Sequence, residues 1–243
     1  MKKSFSTHVK EFVLIAVVVI GIRMTFYGLS IIPSGSLEPT ALTGDFIGVA
    51  NYPYGFSTLS FPYMPSALAK RIMVKEPARG DIIVVRMVQD HDRDYVKRLI
   101  GLPGDRIQMK NGVLHINGEA VKLEDGDLFI FNDRNGRSER GTIFYETLPN
   151  GVRHKILKID PFGYGPGDNT DEIIVPKGKM FLMGDNRDRS LDSRFAQIGF
   201  VDEKYLIGRA DFVWFSTPAK GVFDIFNWFS WSRLKDRMFS LIR

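Results

Sequence analysis

After its first thirty residues this chain is a succession of short apolar runs broken by turn dipeptides, a rhythm that predicts strands rather than helices. The runs are DFIGVA, DIIVVRM, YVKRLIG, RIQMK, VLHI, EIIV, KMFLMG and RADFVWF. Asn111-Gly112 separates RIQMK from VLHI and Asn117-Gly118 follows it. Each pair suits a two-residue hairpin, because both central positions of a type I′ turn need positive φ. The pattern predicts a mostly β fold, an antiparallel core over 30–122 and 172–218. Between them, 123–171 are polar and rich in Asp, Arg, Asn and Gly, with Gly-Pro-Gly at 165–167, and read as an inserted lobe of hairpins and loops.

The first thirty residues follow another pattern. Residues 12–22 carry no charge, and beyond Arg23 the apolar character resumes as far as Pro33. Such a stretch approaches the roughly 20 residues needed to span hydrocarbon, which predicts one N-terminal transmembrane helix over 11–29 behind a short cytoplasmic tail, 1–10. Lys2, Lys3 and Lys10 precede it, so the basic flank places the N-terminus inside and everything from about Ser30 outside. A cleavable signal peptide is the alternative; no A-x-A-like site precedes Pro33, which favours an uncleaved anchor. At the other end, residues 219–243 space Ile225, Trp228, Trp231, Leu234, Met238 and Leu241 at helical intervals among basic residues. That tail suits an amphipathic helix on a membrane or a helix docked on the core. The aromatics Tyr52, Tyr54, Phe56, Phe61 and Tyr63 likewise suit a packed core or a loop dipping into headgroups.

Composition narrows the function classes. With 33 basic against 28 acidic residues in 243, and no basic run interleaved with aromatics, nucleic acid is an unexpected partner. No cysteine is present, which excludes disulfides and thiolate chemistry and is compatible with an oxidising compartment. His8, His91, His115 and His154 lack motif context, there is no G-x-S-x-G, no H-E-x-x-H and no phosphate-binding glycine loop, and no metal or cofactor is expected.

Two segments remain that can carry chemistry: IIPSGSLEPT, holding Ser34 and Ser36, and YVKRLIGLPGD, holding Lys97. If Ser36 is a nucleophile, its own amide and the Ser34 hydroxyl could face an oxyanion, each such donor being worth roughly 10² to 10³ in rate. A strand would turn Lys97 and Tyr95 to one face. To serve as a base, Lys97 must lose its proton near neutrality, so its pKa must fall by roughly 2 to 4 from a reference near 10.4 through burial. Alone, a strand lysine is more commonly a surface residue.

The residues PSGSLEPTALTGDFIGV, RGDIIVV, YVKRLIGLPGDRI and GDNRDRSLDSR, in that order behind an N-terminal anchor, resemble the bacterial type I signal peptidases, or leader peptidases, a serine/lysine dyad family. That resemblance implies the leader-peptidase fold and a membrane-anchored endopeptidase that removes signal peptides from secretory preproteins after small residues at −1 and −3. Its place would be the outer, periplasmic face of the plasma membrane, in contact with lipid and near the export machinery. Ser36 would be the nucleophile, Lys97 the general base, Ser34 and the Ser36 amide the oxyanion hole, and Ser190 the hydroxyl orienting the lysine. Arg98, Asp185, Asp192 and Arg194 would form a structural charged network. Leu37, Tyr95 and Val96 are nominated for the first substrate pocket, and Ile32, Ile47, Val84 and Val96 for the second. Leu37, Ala41 and Arg189 depart from the family's usual residues; Arg189, beside Ser190, would either depress the lysine pKa further or point to solvent. Related serine/lysine proteases, such as pilin-maturing peptidases or self-cleaving repressors, and an inactive membrane scaffold are the competing readings. The repressor lacks an anchor, and a scaffold would not be expected to keep Ser34, Ser36, Lys97 and Ser190 together.

Overall fold

A computed structural model describes residues 5–61, 63–132, 138–216 and 237–242. In chain order a helix, α1 (Phe5–Thr25), is followed by β1 (Tyr27–Ile31), β2 (Asp45–Ala50), β3 (Phe56–Ser57), β4 (Arg71–Ile72), β5 (Ile82–Met87), β6 (Arg93–Gly101), β7 (Arg106–Lys110) and β8 (Val113–Ile116). There follow β9 (Glu119–Ala120), β10 (Lys122–Asn132), β11 (Ser138–Thr147), β12 (Arg153–Lys158), β13 (Ile173–Ile174), β14 (Lys179–Met183), β15 (Val201–Asp202) and β16 (Leu206–Ser216). The fold is mostly β and its ladders are antiparallel, as the alternating pattern predicts.

Every run read as a strand lies in one. The central sheet has the order β1-β2-β16-β5-β6-β14-β15, flanked by a sheet β13-β7-β8-β9 and a meander β10-β11-β12. Strand β5 is buried along its whole length, because one apolar cluster covers Ile82 and Val84 and another covers Ile83, Val85 and Met87. Two-sided burial is why its sequence is a continuous apolar run rather than an alternation. At the hairpins, Asn111 and Gly112 both have positive φ between the paired Lys110 and Val113, and Asn117 and Gly118 repeat this between Ile116 and Glu119.

The N-terminal region differs from the expected anchor over 11–29. Helix α1 ends at Thr25, and Tyr27–Ile31 leave it to pair with β2, so the distal apolar run belongs to the sheet. Tyr27, Leu29 and Ile31 occupy one exposed face, and such a run satisfies a strand's period as readily as a helix's continuation. Among the described residues no helix is long and apolar enough to cross a membrane. Of the C-terminal tail, residues 219–236, including Trp228 and Trp231, lie outside the described residues. Its end returns to β16, where Phe239 and Ile242 donate to Val213 and Asp211, and Ile242 is buried. The aromatic segment divides: Tyr54 is buried and bonds Asp81, whereas Tyr52, Phe61 and Tyr63 are exposed.

Strands β11 and β12 reach the core. Leu157 in β12 bridges Asn186 in parallel, with the Leu157 amide donating to the Asp185 carbonyl at 2.8 Å and the Arg187 amide to the Leu157 carbonyl at 3.0 Å.

Candidate active site

Ser36 sits on a single turn of 3₁₀ helix, Gly35–Leu37, between β1 and β2. The turn is pinned at one end by Leu37, which is buried in the apolar cluster, and by the box segment 184–194 at the other. There the Asn186 amide donates to the Ser36 carbonyl and Asn186 Nδ2 to the Gly35 carbonyl, each at 3.1 Å. A Cβ on Gly35 would lie 2.7 Å from the Glu38 carboxylate, so a side chain there would require Glu38 to shift. The first amides of a helix have no acceptor within it, which leaves the Ser36 N–H available to a ligand. Ser34 Oγ lies 3.4 Å from Ser36 Oγ.

Lys97 comes from the middle of β6 and is 3% exposed. Its Nζ donates to Ser190 Oγ at 2.9 Å and stands 5.7 Å from the Tyr95 ring centre. Burial pushes its pKa down from 10.5 to about 8; Asp192 and Asp185 oppose that shift and Arg194 assists it. At pH 7 about a tenth of such amines are neutral, against roughly one in three thousand for an unshifted lysine. Burial thus makes an ordinary strand lysine available as a base.

The turn and the lysine meet through Gly184. A Cβ on that glycine would lie 2.2 Å from Ser190 Oγ and 2.4 Å from the Ser36 carbonyl oxygen. Only a bare Cα allows the hydroxyl that holds Lys97 and the backbone that carries Ser36 to share one contact. Sequence reading did not single out Gly184; its place as first residue of the box is the signal that could have done so.

Around this centre the charged residues pair as a frame. Arg98, next to Lys97 but on the other face of β6, grips Asp185 with two bonds of 2.7 Å and donates to the Gly80 carbonyl. Thr40 Oγ1 donates to Asp185 at 2.6 Å, tying the loop after the Ser36 turn to the box. Asp192 receives Arg194 through two bonds, of 2.9 and 3.0 Å, and the Gly184 amide. Burial alone would raise both carboxyls, but Arg98 beside Asp185 and Arg194 beside Asp192 hold them below the usual range. Arg189 points outward to Glu139 and contributes nothing to the Lys97 shift, which decides between the two outcomes expected for it in favour of solvent.

Of the nominated pocket residues, Ile32, Leu37, Ile47, Val84 and Val96 are gathered into one buried cluster. Tyr95 is not among them. Strand alternation turns it to the face of Lys97, where it packs against the neighbouring cluster and bonds Asp90.

A second layer of buried charge escaped sequence reading. Arg187 forms a bidentate pair with Glu146 of β11, at 2.9 and 2.6 Å. His154 Nε2 lies 3.3 Å from the same carboxylate without the alignment of a hydrogen bond. Burial and Arg98 lower the His154 pKa, while Arg187 and His154 overcome burial to hold Glu146 far below the carboxylate range. Lys158 of β12 is clasped between Asp168 and Asp188. The sequence signals were the place of Arg187 and Asp188 within GDNRDRSLDSR and that of Asp168 within FGYGPGD, a glycine-rich cradle whose Gly163 and Gly165 amides donate to its carboxylate at 3.0 Å.

Comparison with known proteins adds independent findings. The family model "Signal peptidase, peptidase S26" matches residues 5–215. A signal peptidase I of Rickettsia prowazekii is 39% identical over 213 residues, covering 85% of this chain and 79% of that protein. Another, of Rickettsia canadensis, is 40% identical over 215 residues, covering 86% and 79%. Among solved structures, a signal peptidase I of Enterococcus faecalis V583 is 25% identical and covers 56% of this chain and 97% of its own, with a TM-score of 0.32 too low to argue from. On the matched family model and these identities, the chain belongs to the signal peptidase family, peptidase S26, and is a serine endopeptidase of that family.

Proposed function

We propose that this peptidase removes signal peptides from exported preproteins by attack of Ser36 Oγ on the scissile carbonyl, with Lys97 as general base. The observation that carries the reading is the buried Lys97 amine, its pKa near 8, held by Ser190 and linked through Gly184 to the Ser36 turn. Neutral Lys97 Nζ accepts the Ser36 proton as Oγ bonds to the carbonyl carbon. The Ser36 amide and the Ser34 hydroxyl donate to the resulting oxyanion. Protonated Lys97 then gives its proton to the leaving amine, the C–N bond breaks, and a second cycle with water in place of Ser36 hydrolyses the acyl-enzyme. Ser190 fixes the direction of the amine, and the Arg98–Asp185 and Arg194–Asp192 pairs keep the box in register.

The substrate enters as a strand in this reading. Among the described residues β14 pairs with β6 only from Arg98 onward, so Arg93–Lys97 present an open edge on that side. A peptide added there would turn alternate side chains, those one and three before the cut, to one face. In this reading that face is the one carrying the buried apolar Ile32, Leu37, Ile47, Val84 and Val96, side chains suited to receive small apolar residues. A cavity of about 130 Å³ shares Val84 with that cluster and is rimmed by Ser30, Phe61, Arg86 and Asp94; its lining includes neither Ser36 nor Lys97, so it suits residues further from the cut.

Membrane association supplies the setting. Helix α1 exposes Phe12, Leu14, Ile15, Val17 and Val19, the adjoining edge strand β1 and the residue before it expose Phe26, Tyr27, Leu29 and Ile31, and β16 exposes Trp214. Exposed apolar residues of this kind suit a bilayer interface near translocating precursors. The uncharged run 12–22 covers only about 16 Å, short of the roughly 30 Å of hydrocarbon.

The test is precursor cleavage by Ser36→Ala beside wild type, with the pH dependence of wild-type kcat/KM. The variant should accumulate uncut precursor, and the wild-type rate should rise about tenfold per pH unit before levelling near pH 8. Wild-type cleavage by Ser36→Ala, or an optimum near pH 5, would defeat the assignment.

A further inference from the structure

The box segment is held from behind as well as from the active-site side. Asp188 stands two residues before Ser190. Its Oδ1 receives Lys158 Nζ, and its Oδ2 receives the Ile159 and Asp160 amides at 2.6 and 3.0 Å. Between Asp188 and Ser190, the Arg189 amide donates to Asn186 Oδ1 at 3.2 Å, closing a tight turn. Lys158 is anchored in β12, which the Leu157–Asn186 bridge zips to the same segment, and its other face is held by Asp168 at 2.9 and 2.8 Å. A continuous run of bonds thus leads from β12 through Asp188 and one turn to the hydroxyl that Lys97 contacts.

We propose that Lys158 and Asp188 are positioning residues of the peptidase reaction, fixing Ser190 so that its Oγ meets the Lys97 amine in a dry site. Neither touches the reacting atoms. The inference rests on Lys97 being the base. Buried ion pairs are weak evidence of net stability, because desolvation offsets much of their attraction, and a hydrophobic replacement of similar volume often serves as well. Holding a loop in one register is a use that a hydrophobic set would not provide. The groups facing Lys97 are Ser190, Asp192, Asp185, Arg194 and the Tyr95 ring; those facing Asp188 are Lys158 and, across it, Asp168. If Asp188 loosens, Ser190 drifts, water reaches the amine and the lysine regains its proton more readily.

The experiment compares Asp188→Asn with Asp168→Asn, measuring kcat and KM for a signal-peptide substrate from pH 6 to 10 together with the folded fraction. Asparagine keeps an acceptor for the Ile159 and Asp160 amides at position 188 and for the Gly163 and Gly165 amides at position 168. For Asp188→Asn the rising limb should move up by about one pH unit, a tenfold lower kcat at pH 7 that recovers above pH 9, with KM unchanged. Asp168→Asn, which removes the same charge from the same lysine but lies off the box, should leave the limb in place. A limb unmoved in folded Asp188→Asn, or moved equally by both variants, overturns the proposal. Should Asp188→Asn fail to fold, Lys158→Arg, which keeps the charge but displaces the donor, is read by the same criterion. A wild-type profile without a limb near pH 8 would instead remove the base assignment itself, and the two failures are therefore distinct.

Discussion

Lys97 and Lys158 are equally buried, each 3% exposed and each in a strand of the same molecule, yet they are surrounded in opposite ways. Lys97 has a neutral hydroxyl as its hydrogen-bond partner, and the carboxylates near it are already engaged by arginines. Lys158 sits between two carboxylates that are its own. At Lys97 the neighbouring carboxylates are already paired with arginines, and desolvation outweighs the opposing pull of Asp192 and Asp185, bringing the amine down to about 8.

The sharpest way to break this contrast is to make the same substitution twice. Lys97→Met should lower cleavage about 10³-fold, as loss of a general base does, while raising the melting temperature. The sign follows from linkage. The folded state binds the Lys97 proton more weakly than the unfolded chain, so a penalty of up to about 3 kcal/mol is present below pH 8 and fades as pH rises towards 10.5. Methionine removes it at pH 7 and gains nothing at pH 10.5, which urea unfolding at the two pH values will read. Lys158→Met should do the reverse and cost about 3–5 kcal/mol, because it strands Asp168 and Asp188 without a cation. Equal effects of the two substitutions on stability would dissolve the distinction. Next in size, Ser34→Ala should lower kcat by roughly 10² to 10³ with KM unchanged if its hydroxyl serves the oxyanion. Smallest is Arg189→Asn, which touches the Lys97 side of the contrast only in sequence. With its guanidinium turned to Glu139 it should change kcat by no more than about twofold and leave the pH limb where it was.

How far each lysine could be read from the sequence follows from where its partners lie. The strands were legible because a sheet imposes its period on the chain and Asn-Gly marks its turns, and β2, β5 and β6 fall within a residue or two of the runs that announced them. Strand β1 was not, since YGLSI continues an apolar helix in pattern and only pairing with β2 decides its conformation. Ser36 and Lys97 were nominated by segments whose order resembles a family, not by their local chemistry. Lys158 had no such help: RHKILK looks like an exposed strand, and the carboxylates that make it internal lie ten and thirty residues away. Arg187 and Glu146, forty-one residues apart, are the same case. Pairings of that range are a product of topology, which a linear reading sees last.

The contact at Gly184 gives the site its mechanical character. Where a Cβ would fit between them, two segments could slide and let a rotamer absorb the slack; here main chain rests directly on a hydroxyl and a carbonyl. Displacement of either segment is passed to the other undiminished, so the two behave as one rigid jaw rather than as parts adjusted separately.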